Sequence, residues 1–313
     1  MKKLAVTLPA LAVLLAAAPA QAAEVATATS TQATGMKYTG TSAADNPRVT
    51  LTGTTYTIDD TGPILAGPGC AQVAGDRTRV TCVAFKDGVK LMEFTMQMRD
   101  GNDSVVNASI APMHANGSGG NDTLDGNIKA NDRLQGNVDN DLLRDAGGTN
   151  QLDGGSGDDQ LMGGVSADNL DAGSGNDFLD GGGSDDQLDG DLGADTIDGG
   201  PTGISPGERH DRVIYTRLAP VTVDLTKSGP VQGEAGEGDT IRDVEDISGG
   251  RGNDTLIGNA ENNFIFGDDG NDSLLGEKGL DVLTGGAGAD GLFASPWTGP
   301  DLVRSTVTGA SRV

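Results

Sequence analysis

From Gly154 to Asp189 the chain reads GGSGDDQLM GGVSADNLD AGSGNDFLD GGGSDDQLD, nonapeptides with aspartate at the sixth place and leucine at the eighth. The same phase begins with GSGGNDTLD at Gly117 and passes through the ten-residue GNIKANDRLQ, then GNVDNDLLR and DAGGTNQLD. It ends with GDLGADTID at Asp198. A second block, GGRGNDTLI GNAENNFIF GDDGNDSLL GEKGLDVLT GGAGADGLF, runs from Gly249 to Phe293. A fixed short period held over this many copies constrains the chain to a solenoid of stacked units. With 50 glycines and a net charge of −25 the composition resembles that of a disordered chain, but disorder has no reason to keep phase.

Glycine tolerates positive φ, so the Gly-rich hexapeptide can turn tightly with its carbonyls inward. Three residues remain to extend, and alternation along a strand points the eighth to one side. That row holds Leu124, Leu134, Leu143, Leu152, Leu161, Leu170, Leu179, Leu188 and Ile197, then Leu256, Ile265, Leu274, Leu283 and Leu292. It is the expected core, one aliphatic side chain per strand. Aromatic residues are only 3% of the chain, so an aromatic-centred core is not expected. Two nonapeptides make one coil, and residues eighteen apart stack at the strand spacing of roughly 4.8 Å. Asp141, Asp159, Asp177 and Asp195 then form one column, and Asp168 and Asp186 the opposite one. Carboxylates about 5 Å apart repel by roughly 3 kcal/mol per pair at an effective dielectric near 20. No basic residue lies between them, and a hard divalent cation held by carboxylate and carbonyl oxygens relieves the repulsion.

The pattern resembles the RTX, or hemolysin-type, calcium-binding repeat GGxGxDxUx. The resemblance implies an all-β fold, a parallel β-roll or β-helix solenoid binding multiple Ca2+ ions. The implied ligands are the sixth-position aspartates together with turn carbonyls of neighbouring coils. These are Asp122, Asp132, Asp141, Asp159, Asp168, Asp177, Asp186 and Asp195, then Asp254, Asp272, Asp281 and Asp290. Asn150 and Asn263 replace that aspartate, so weaker sites are expected there. Asp139, Ser166, Ser184 and Glu261 replace the fourth-position glycine, where strained turns are expected. The ten-residue repeat around Lys129 is expected to break the phase at Asp122 and Asp132.

Outside the repeats the chain divides as follows. Residues 1–22 read as a signal peptide: Lys2 and Lys3, an apolar run from Leu4 to Ala18, and Ala20-Gln21-Ala22 before the cut. Residues 23–35 read as an Ala/Thr/Ser linker, and residues 36–106 as a β-rich region of Thr- and Val-rich alternating runs with Gly/Pro/Asp turns. Within it, DGNDSVV at Asp100 to Val106 looks like a worn repeat. The first repeat block is placed at 107–198, a β insert at 199–248, the second block at 249–293 and a tail at 294–313. Cys70 and Cys82 are expected to form a disulfide in an oxidising compartment.

The acidic balance argues against nucleic acid and anionic membranes, which need clustered Lys and Arg. Beyond the signal peptide no segment is apolar enough to span a bilayer. Gly203-Ile204-Ser205-Pro206-Gly207 matches GxSxG, but it sits in a Pro/Gly loop without the strand and helix that a nucleophile elbow needs. HExxH is absent. His114 and His210 have no ligand-like neighbours in sequence, so surface or packing roles are expected for both. The seventh position is not a threonine row, against a regular ice-binding ladder. In the second block outward positions turn apolar, at Ile257, Phe264, Phe266, Leu275, Val282 and Phe293. Ile257, Leu275 and Phe293 should stack on one face, covered by the tail containing Trp297 or by a protein or surface partner. The expectation is a secreted, monomeric, non-enzymatic calcium-binding protein. Its alternatives are a matrix or spacer protein using the roll as scaffold, and a hydrolase with the repeats as folding appendage.

Overall fold

The computed structural model describes residues 24–32, 35–87, 90–201 and 210–293. The expected signal peptide, the GxSxG stretch and the tail with Trp297 lie outside them. The described residues contain strands and no helix. In the regular stretch the chain crosses alternately between two facing parallel sheets. Gln151–Ser156 lies in one, Gln160–Gly164 in the other and Asn169–Ser174 back in the first. Leu152 stands opposite Leu170 and Leu161 opposite Leu179, so one coil is two nonapeptides, as the period predicts. The eighth-position row is buried throughout, except that Leu292 in the last strand is only partly covered. The first position of the following repeat also faces inward, two residues on, which is where Gly154 and Ala172 sit.

The ten-residue repeat does not break the phase. Ala115 stands opposite Leu134 and Leu124 opposite Leu143, so these coils are nineteen residues long and remain in register. The extra residue is absorbed in the turn, where Asn127 Oδ1 accepts the N–H groups of Lys129 (2.8 Å) and Ala130 (2.9 Å).

The N-terminal region caps the roll by extending both sheets. Phe94–Asp100 pairs with Gly35–Thr39, which leads antiparallel to Ala26–Thr31 and then to Ile64–Ala66. On the other side Ser104–Asn107 pairs with Arg48–Thr52, followed antiparallel by Thr55–Asp59, Arg79–Val83 and Cys70–Gln72. The linker reading of 23–35 is therefore corrected over Ala26–Thr31. Ala26, Ala28 and Ser30 alternate inward and pair with the next strand, which Thr/Ser-rich composition concealed. The expectation of no aromatic core also fails here. Tyr38, Tyr56 and Phe94 are buried with four methionines, Met36, Met96, Met98 and Met113, filling the wider space where the narrow roll ends. The disulfide joins Cys70 and Cys82, directly opposite one another in adjacent strands.

Residues 199–248 are part of the roll as well as an insert. Arg212–Ile214 and Asp246–Ser248 continue the first sheet, and Thr240–Arg242 is the last strand of the second. Val221–Asp224 opens a third sheet that runs through Thr255–Ile257, Ser273–Leu275 and Gly291–Phe293. The second block thus keeps one sheet of the first block and replaces the other. Ile257, Leu275 and Phe293 stack as expected, with Phe293 50% exposed. Phe264 and Phe266 are covered, by the His210 ring and the Arg212 guanidinium respectively.

Leu161→Ala, in the fully buried row, should cost about 2–5 kcal/mol, whereas Gln160→Ala on the exposed face should stay within about 0.5 kcal/mol. Denaturant unfolding of the two variants measures the contrast.

Candidate metal centre

The sixth-position aspartates are buried, and each is tied to the coil before it. The N–H of Asp141 donates to Asp159 Oδ1 (2.7 Å), that of Asp159 to Asp177 Oδ1 (2.7 Å) and that of Asp177 to Asp195 Oδ1 (2.8 Å). Asp122 donates to Asp141 in the same way. The opposite column runs from Met113 N–H to Asp132, Asp132 to Asn150, Asn150 to Asp168, and Asp168 to Asp186. In the second block Val221 donates to Asp254, Asp254 to Asp272, and Asp272 to Asp290, while Asn263 donates to Asp281. One carboxylate oxygen therefore satisfies a backbone donor that the turn leaves over.

The other oxygen is differently placed. Oδ2 of Asp122, Asp141, Asp159, Asp168, Asp177, Asp195, Asp254 and Asp272 is buried and receives no hydrogen bond. It points into a cradle that the first-position glycine keeps open. A β-carbon on Gly154 would lie 2.6 Å from both Asp159 Oδ2 and Ala172 O. On Gly163 it would lie 2.6 Å from Asp168 Oδ2 and 2.8 Å from Gly181 O. Carboxylate and carbonyl oxygens of successive coils converge there with no donor between them. That is the donor set of a hard cation. Among the described residues no three His, Cys, Asp or Glu side chains converge, so the backbone must supply part of any coordination. Gly157 and Gly175, at the fourth position, hold φ of 136° and 148°. Asp139 and Ser184 take left-handed φ of 74° and 75° in place of that glycine, the expected strain, while Ser166 and Glu261 avoid it.

Four repeats depart from this arrangement. At Asn150 the amide Nδ2 donates to Gly148 O (3.0 Å) and Gly163 O (3.4 Å). At Asn263 it donates to Glu245 O (2.6 Å). The amide thus takes up carbonyls itself instead of merely offering a weaker oxygen. Asp132 is reached by Asn127, whose N–H and Nδ2 donate to its Oδ2 at 2.8 and 2.9 Å. Ala172 carries a methyl at the first position of the repeat containing Asp177.

The column also extends beyond the sequence-based assignment. Asp45 donates its N–H to Asp103 Oδ1 and Asp103 to Asp122 Oδ1, confirming the worn repeat around Asp103. At the far end Asp195 donates to Asp239, whose Oδ2 is held by the Tyr215 hydroxyl, and Asp186 donates to Asp211. GTSAAD at Gly40 to Asp45 carries the same glycine–aspartate spacing, and DTI at Asp239 to Ile241 the same aspartate–aliphatic spacing. A second ladder, at the fifth position, runs the opposite way. Asn140 N–H donates to Asn121 Oδ1, Asp158 to Asn140, Asn176 to Asp158 and Ala194 to Asn176. The histidines pack as expected: His114 bonds Gln135, and His210 bonds Asp246 (3.2 Å) against Phe264.

Burial pushes these carboxyls up. It raises Asp141 to about 8, Asp168, Asp177 and Asp195 to about 7, and Asp122 and Asp254 to about 6. In each, the backbone N–H works against the rise. Desolvation comes first and repulsion between neighbouring aspartates second, which reverses the weight given to column repulsion by spacing alone. The sign for stability follows. Between the unfolded value near 4 and the folded values of about 6 to 8, the metal-free fold holds more protons than the unfolded chain. Its stability is therefore fullest below that window and is lost as pH rises through it. Thermal melts in chelator should show a lower midpoint at pH 8 than at pH 5.

Comparison with protein families matches the RTX calcium-binding nonapeptide repeat at residues 114–128, 129–161, 162–197, 243–274 and 266–295. A search of curated proteins finds no match. The matched segments coincide with the coils whose aspartates form the ladders, and the two findings agree on a calcium-binding repeat. The chain is an RTX-repeat protein, folded as a parallel β-roll.

Proposed function

We propose that this is a secreted calcium-binding protein whose roll takes up several Ca2+ ions and completes its folding on doing so. The observation that carries the reading is the row of buried carboxylate oxygens without donors, which at Asp122, Asp141, Asp159, Asp168 and Asp272 share a first-position cradle with a turn carbonyl of the next coil. Asp122, Asp141, Asp159, Asp168, Asp177, Asp195, Asp254 and Asp272 hold the ions through Oδ2, and Asp186, Asp281 and Asp290 occupy equivalent ladder positions. Asp132 lies in the same row under the amide of Asn127. Bound calcium neutralises the columns and adds its binding free energy to folding. The apo chain is then loosened at neutral pH by its own buried charge, and millimolar calcium outside the cell orders it. The N-terminal signal sequence and the Cys70–Cys82 bridge support an extracellular location.

A second reading, a spacer or matrix protein that uses the loaded roll as a rigid scaffold, is favoured by one observation. The outward stack Ile257, Leu275 and Phe293 is in register and ends half exposed, the surface a partner would use. It is compatible with calcium binding and shares its first test.

Titrating calcium into the chelated mature protein, with far-UV circular dichroism and calorimetry followed together, should give a gain of β signal with several ions bound and little response to magnesium. A protease-resistant, fully folded apo protein that releases no heat with calcium would refute the proposal.

A further inference from the structure

Of the nonapeptides in the two blocks, all open on glycine except those starting at Ala172 and Asp145. The repeat that begins with Asp145 is also the one in the first block whose sixth residue is asparagine, Asn150. Asp145 does not turn outward. Its Oδ1 accepts the N–H groups of Ala146 (2.6 Å) and Gly147 (3.0 Å), and the residue is 7% exposed. Its Oδ2 is buried, no N–H reaches it, and its one side-chain neighbour is the Asp132 carboxyl. That oxygen is aimed into the cradle of the coil below. A β-carbon on Gly126 would lie 2.8 Å from Asp132 Oδ2 and closer still to Asp145 Oδ2. Two carboxylates thus converge on one glycine inside the roll. The arginine next in sequence, Arg144, is committed to Asp125 on the outer face.

We propose that Asp132 and Asp145 form a divalent-cation site of a kind that the repeat pattern does not encode. In it, the carboxylate missing at the sixth position of one coil is supplied from the first position of the same coil. The reading rests on calcium binding by the roll and deepens it. At Gly117, Gly136, Gly154 and Gly163 the next coil offers the cradle a carbonyl from its first position; at Gly126 that position offers a carboxylate oxygen. Two charged oxygens on a hard cation compensate for a turn in which Asn127 already donates to Asp132 and Asn150 donates to Gly148 O and Gly163 O. The site lies at the nineteen-residue coils, so its occupation locks the segment where the coil length changes.

The test counts calcium ions bound to the full mature chain, by native mass spectrometry and calorimetry, for the wild type, Asp145→Asn and the outward-facing control Asp153→Asn. The expected result is one ion fewer for Asp145→Asn and no change for Asp153→Asn. An unchanged count and affinity in Asp145→Asn, with several ions on the wild type, overturns this site and leaves the proposed function standing. No calcium on the wild type overturns the proposed function instead. If Asp145→Asn does not fold, Gly126→Ala decides, because its methyl fills the space between the two oxygens. Loss of one ion supports the site, and retention of all of them overturns it. A higher melting temperature of chelated Asp145→Asn with unchanged stoichiometry shows only relief of a buried charge, and counts against the proposal.

Discussion

The hydrogen bond from the backbone N–H of one sixth-position residue to Oδ1 of the next is the contact on which the rest of the structure depends. It recurs along each column and pins one coil to another with a side chain too short to reach any other register. Because one oxygen is used this way, the carboxyl must be buried, and its second oxygen is carried into the interior between coils. The first position is then glycine in all repeats of the two blocks but those of Asp145 and Ala172, and the eighth supplies the strand's inward-facing apolar side chain. Sequence period, core and cation cradle all follow from that one bond.

Its cost is the desolvation of a carboxylate. Burial raises the aspartates well above their ordinary range, and one N–H apiece offsets this only in part. In a conventional domain such a group would be paired with a basic residue. Here arginines are spent on outer-face pairs such as Arg144 with Asp125 and Arg242 with Asp198, and on the insert, where Arg217 contacts Asp191, Glu234 and Glu237. The interior is left needing positive charge from solution. The proposed dependence on metal thus follows from where the few basic residues were placed as much as from where the aspartates were.

Much of the roll was legible in the sequence because its contacts repeat at short range. Leu152 and Leu170, or Asp159 and Asp177, are related by the same eighteen-residue step each time, so one period discloses the pairing. The caps were not legible for the converse reason. Asp45 meets Asp103 across 58 residues and Asp195 meets Asp239 across 44, and no period relates those pairs. The Ala26–Thr31 strand was hidden because its inward residues, Ala26, Ala28 and Ser30, are small and give no strong apolar alternation. Asn127 was missed because its work, absorbing one residue and covering Asp132, depends on the folded turn. The fifth-position ladder was legible in principle, in the recurring asparagines, but the consensus treats that place as variable.

The exchange of one sheet at the insert has a mechanical consequence. One sheet runs unbroken from the N-terminal cap to Val282–Thr284, while its partner ends at Thr240–Arg242 and a new one begins at Val221–Asp224. A solenoid with two continuous sheets can fray only from its ends. This one has an internal seam on one side, backed by an uninterrupted spine on the other. Tension along the axis would open the seam while the spine held, so the molecule would bend at the seam, close to the C-terminal end of the spine, before it breaks.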